Sequence, residues 1–212
     1  MNIETPLKQE IVVTEWLRYG FEDLMVAFFP LDKWHYYQPF FLAQAVEKFA
    51  KAYLLAKRPS DYENLNFLEG KKAIDKIARF YGHEIGKIIN LLEKDIPQLK
   101  SIINLKYDGF IGLDIIKALD AGYVEARYPV PRAICEDFPL NEKHTIWKDP
   151  LASSSLLKFV FGFMLIVLDK IKLDYGIELK RQNLFYCYQN RIDQEDWQRF
   201  CNLFFKDSSY GI

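Results

Sequence analysis

The sequence predicts an all-α protein. Apolar residues recur at helical spacing along most of the chain, and proline or glycine stands where those runs start and stop. Period-2 alternation is scarce, and the one Asp-Gly pair, Asp108-Gly109, sits in a short link, KYDGFIG. With 212 residues, 50% of them hydrophobic, the chain can bury a substantial core. The expected layout is a helical bundle over 1–175 with a long loop at 128–150, then an aromatic-rich helical extension over 176–212.

Each element has a local reason. TPLKQEIVVTEWLRYGFEDLMVAFF places Val13, Leu17, Leu24 and Phe28 at helical spacing behind Thr5 as N-cap and Pro6 at the first helical position, and should end near Pro30. A second helix from about Pro39 to Lys57 is closed by Arg58-Pro59, because the residue before proline is pushed out of the α region. GKKAIDKIARFY gives Ile74, Ile77 and Ala78 one face and ends at Gly82; HEIGKIINLLEKD then turns Ile85, Ile88, Ile89 and Leu92 inward. LDIIKALDAGYVEARYP forms a helix stopped by Pro129. The serines of ASSSLLKFVFGFMLIVLDKIKLDYG are placed to cap a long apolar helix ending near Gly176. Finally, DQEDWQRFCNLFF starts at Asp193 as N-cap and puts Trp197, Phe200, Cys201 and Phe204 on one face.

Composition excludes several classes. Lys and Arg total 28 against 29 for Asp and Glu, a net charge of -1, so no global field draws the chain to nucleic acid or an anionic membrane. The 3 cysteines, Cys135, Cys187 and Cys201, are dispersed and form no C-x-x-C pair, which fits a reducing cytoplasm and no zinc-ribbon site. MNIETPLKQEIVV lacks the basic start and apolar run of an export signal. FVFGFMLIVL, Phe159 to Leu168, is shorter than the roughly 18 apolar residues that span a bilayer and reads as a core or oligomer-interface helix. No phosphate-binding P-loop, nucleophile elbow or H-E-x-x-H zinc motif occurs, so no metal or cofactor is expected.

Within FLAQAVEKFAKAYLLAKR, the polar residues Gln44, Glu47, Lys48 and Lys51 form one narrow stripe. Glu47 and Lys51 are an i,i+4 pair in the favourable order, worth about 0.2–0.5 kcal/mol, so the stripe reads chiefly as the solvated line of a central helix and secondarily as one wall of an anion site.

WLRYGFEDLMVA, FLAQAVEKFAKAYLLAK, GHEIGKIINLLEK and YVEARYP, in this order and spacing, resemble the HEPN family. The resemblance covers about Glu10 to Tyr175 and implies a four- or five-helix up-and-down bundle. It also implies frequent homodimers and activities from metal-independent RNA cleavage by toxins in toxin-antitoxin or defence systems to nucleotide binding and non-catalytic partner binding. Ribonuclease members carry an arginine, four to six residues, then a histidine. None of His35, His83 and His144 fits: Arg79-Phe-Tyr-Gly-His83 has only three residues between. Cleavage through a 2′-hydroxyl needs a proton acceptor and a fixed cation, so the departure favours a non-catalytic protein binding a nucleotide, RNA or protein partner. A ribonuclease with a displaced Arg/His site and a structural dimerisation module are the alternatives.

The candidate ligand-binding residues are Glu47, Lys48, Lys51, His83 and Arg127, and a displaced catalytic site would use His83, Arg79 and Arg127. His83 reads either as a helix-start residue packed on the bundle or as a group near Glu47 and Lys51, where a carboxylate would fix its tautomer. Arg127 stands where a helix C-terminus favours a cation, or binds an anion. Lys48 and Lys51 meet a phosphate as point charges or are merely solvated. In the tail, Lys180, Arg181, Arg191 and Arg199 interleave with Phe185, Tyr186, Tyr188 and Trp197, which suits single-stranded RNA but equally a packed or dimer face.

Overall fold

The computed structural model describes residues 6–28, 38–127 and 150–179, with the side chains of all of these except 124–127 and 150–153. Helices α1 (Gln9–Phe28) and α2 (Gln38–Ala56) form an antiparallel pair, since Gln9 donates to the Ala56 carbonyl at one end and Gln38 to the Ala27 carbonyl at the other. Their axes approach closely at Gly20, where an added Cβ would stand 3.2 Å from the Phe49 ring. The first helix starts later than Pro6 because residues 6–8 are held as a separate strand-like tie: Leu7 N–H donates to Leu65 O, and Asn64 N–H to Leu7 O. Thr5 and Pro30 lie outside the described residues.

Helix α3 (Phe67–Phe80) begins before Gly70 because Asn66 caps it, accepting the Glu69 N–H at 3.0 Å. Ile77 and Ala78 are buried, and Ile74 packs beside them on the cluster of Leu7, Val12, Leu55, Tyr62 and Ile77. Gly82, at φ +69°, ends α3 in the left-handed conformation that side chains disfavour. Helix α4 (Ile85–Leu92) buries Ile85, Ile88, Ile89 and Leu92, the inward face that periodicity predicts.

A short α5 (Leu99–Asn104) leads into a two-residue hairpin, β1 (Lys106–Tyr107) and β2 (Phe110–Ile111), paired antiparallel with Tyr107 opposite Phe110. Its turn is Asp108-Gly109, with φ of +49° and +100°, the signs of a type I′ turn. This ribbon is the only β-structure among the described residues. Helix α6 (Gly112–Arg127) follows directly, and α7 (Pro150–Tyr175) ends where Gly176, at φ +68°, donates to the Lys172 carbonyl.

The serines do not cap α7. It starts at Pro150, as proline's fixed φ allows at a first helical position, so 153–155 fall inside the helix. Ser155 is buried and hydrogen-bonds Asp108 of the hairpin turn at 3.4 Å. Most of Phe159 to Leu168 is buried within the chain, including Phe159, Phe163 and Met164, so this run is a core helix. No helix among the described residues is long and apolar enough to cross a membrane.

Helix α2 lies at the centre, packed by α1, α3, α4, α6 and α7. The stripe therefore cannot be a solvated line. Glu47 and Lys51 are buried and only Gln44 and Lys48 are half-buried, because partner helices close around the side that spacing alone would leave to water. Of the expected loop at 128–150, Pro150 opens α7 and the rest lies outside the described residues, as do the helix from Asp193 and the basic-aromatic tail from Lys180.

Candidate functional site

The buried charges of α2 meet the α3–α4 corner. Lys51 Nζ donates to Glu47 Oε1 at 2.6 Å, and the two side chains are 2% and 7% exposed. An ion pair removed from water this completely needs its remaining bonding capacity filled, since each lone partner would be a buried charge. His83 supplies part of it. Gly82's left-handed turn sends His83 back over α2, where Nδ1 lies 3.0 and 3.1 Å from the two Glu47 oxygens.

The imidazole is also held by its face. Tyr123 of α6 stacks on it at 5.5 Å between centroids and 16° between planes, and Phe40, in the first turn of α2, stacks on Tyr123 at 5.7 Å and 27°. Three rings thus form a ladder whose last rung, His83, is 52% exposed. Its hydrogen-bonded nitrogen faces the buried carboxylate, and the ring as a whole is half-exposed.

One turn before Tyr123, Asp120 secures the backbone beneath the histidine. Its carboxylate accepts the N–H groups of Ile85 and Gly86 at 2.5 and 3.1 Å, doing from α6 what an N-cap residue does within a helix. Gly86 permits this approach, because a Cβ there would stand 3.2 Å from Asp120 Oδ2. Burial raises the Asp120 pKa above the usual carboxylate value, against the lowering effect of the two N–H groups.

The structure therefore brings together Glu47, Lys51 and His83 among the sequence candidates. It joins neither Lys48 nor Arg79 to them. Lys48 pairs with Asp23 of α1, whose pKa burial raises despite that pairing. Arg79 is exposed on the last turn of α3, and no hydrogen bond or ion pair joins it to His83 among the described residues. Arg127 is the last residue of α6, with its side chain outside the described set. Phe40, Asp120 and Tyr123 were missed as site residues; the available signal was Asp120 and Tyr123 three apart on one helix face.

Among the described residues no group of histidine, cysteine and carboxylate side chains is placed to hold a metal ion. The arrangement can orient an imidazole and hold it in line with two further stacked rings. No family model matches the chain, and comparisons with curated proteins and with solved structures gave no match.

Proposed function

We propose that this chain is a HEPN-like helical protein that binds a nucleotide or single-stranded RNA without cutting it, at the corner formed by Glu47, Lys51, His83, Tyr123 and Phe40. The observation that carries the reading is the half-exposed imidazole fixed through Nδ1 by a buried carboxylate and stacked in line with Tyr123 and Phe40. A ligand-binding group is worth fixing in this way because orienting it beforehand removes the cost of ordering it when the ligand arrives. Base faces stack on aromatic rings, which suits the ladder.

A ribonuclease reading has one specific support: a carboxylate–imidazole dyad leaves the outer nitrogen able to accept a proton. Among the described residues it lacks the fixed cation that a developing phosphorane charge requires, since Lys51 is engaged by Glu47 and no hydrogen bond or ion pair joins Arg79 to His83; the Arg127 side chain lies outside that set. One experiment separates the two. Purified protein and His83→Ala are mixed with labelled single-stranded RNAs, and both retention and cleavage are scored. Retention without cleavage, weakened in His83→Ala, is the expected result; products lost in His83→Ala would make the protein a nuclease, and neither retention nor cleavage would remove nucleic acid as the ligand.

A further inference from the structure

We infer that the ligand engages His83 by donating a hydrogen bond to its Nε2, so that the site selects an amino-bearing nucleobase and rejects a phosphodiester. This rests on the nucleotide reading and deepens it.

Glu47 accepts from Lys51, and a carboxylate engaged in an ion pair has only acceptor sites to offer. The close contacts from both Glu47 oxygens to His83 Nδ1 therefore place a proton on Nδ1. In the neutral ring Nε2 is then a lone pair on the other edge. It accepts, and the oxygens of a phosphodiester, which only accept, have nothing to gain there.

The surroundings argue the same way. The first backbone N–H groups of a helix are the usual cradle for an anion, and here those of Ile85 and Gly86 are occupied by Asp120. Of the nearby lysines, Lys51 is paired with Glu47, Lys48 with Asp23 and Lys87 with Glu84. An in-plane hydrogen bond to Nε2 sets the donor group in the plane of the imidazole, which is nearly parallel to Tyr123. A planar base carrying an exocyclic amino group, adenine, cytosine or guanine, fits both conditions.

Long-range proton–nitrogen NMR of the full chain with labelled histidine, at pH 7.5, reports which ring nitrogen carries the proton. Adenosine, cytidine, purine riboside (adenosine without its amino group) and dimethyl phosphate, a phosphodiester without a donor, are then added in turn. The expected result is a proton on Nδ1 of His83, an Nε2 signal that moves with adenosine or cytidine, binding of purine riboside roughly three- to tenfold weaker than adenosine, one hydrogen bond's worth, and no response to dimethyl phosphate. A proton on Nε2, equal binding of purine riboside and adenosine, or a response to dimethyl phosphate overturns the donor rule while leaving a ligand at this corner. An Nδ1-bound proton with no response to any compound overturns the nucleotide reading and the base selectivity that rests on it.

Discussion

Glu47 and Lys51 illustrate how differently one pair of residues behaves in water and in a core. On an exposed helix the pair would add a few tenths of a kcal/mol; here, almost fully enclosed, each charge depends on the other. Glu47→Gln should cost about 3–5 kcal/mol, because it strands the Lys51 ammonium, and Lys51→Met a similar amount through the stranded carboxylate. The double variant should lose much less than the sum. Urea unfolding of all four chains checks this, and additive losses would mean that the two charges do not depend on one another. The spacing of the pair was legible from the sequence, whereas its neighbourhood to His83 was one of two open readings. Its burial was not, because an i,i+4 offset fixes which residues share a face but not what covers that face. The stacking of Tyr123 and Phe40 was hidden for the same reason: residues far apart in the chain meet only once α6 has docked on α2.

Among the elements, the corner between α5 and α6 and the N-terminus of α4 depend most on single residues. Gly112 donates to the Leu105 carbonyl, and a Cβ there would sit 2.3 Å from the Ile102 oxygen and 2.7 Å from that of Ile103. These are backbone atoms that cannot swing aside, so Gly112→Ala should destabilise by about 1–3 kcal/mol. Gly162→Ala is the matched control inside α7, where the nearest atom, Ile102 Cγ2, is 3.7 Å away; helix propensity there should give a gain of up to about 1 kcal/mol. Thermal unfolding of the two variants should move in opposite directions. At α4, Asp120→Asn can accept only one of the two N–H bonds and should cost about 1–3 kcal/mol. It should also shift the His83 ring signals, since Ile85 and Gly86 lie only two and three residues after it; unchanged signals would dissociate the cap from the site. The main helices and the inward face of α4 were readable from periodicity. The hairpin was not, since strands of two residues are too short to alternate, although its Asp108-Gly109 turn was visible.

Across the molecule, α2 is the axis through which distant parts are tied: Lys48 to Asp23 on α1, Glu47 to His83 at the α3–α4 corner, Tyr53 to Asp174 on α7. Far from it, Lys158 of α7 holds Asp108 of the hairpin turn through both carboxylate oxygens at 2.8 Å. These carboxylates respond to acid in opposite senses. The Lys158 hydrogen bond holds Asp108 below its ordinary value of 3.8, so its contribution is fully present above pH 3.8 and is lost as pH falls through the folded value. Burial holds Asp23 and Asp120 above 3.8, so between that value and their folded values the native chain retains protons that the unfolded chain has released. In that window stability from these two groups rises as pH falls. Urea midpoints measured from neutral pH to below pH 3 should therefore separate the effects by slope. Lys158→Met should reduce the loss of stability below pH 3.8 and leave the slope above it unchanged, whereas Asp23→Asn should reduce the gain just above pH 3.8. Because each variant also changes stability at neutral pH, only the slopes decide, and a Lys158→Met curve parallel to that of the parent at every pH would show that the hairpin turn does not draw its hold on α7 from the Asp108 charge.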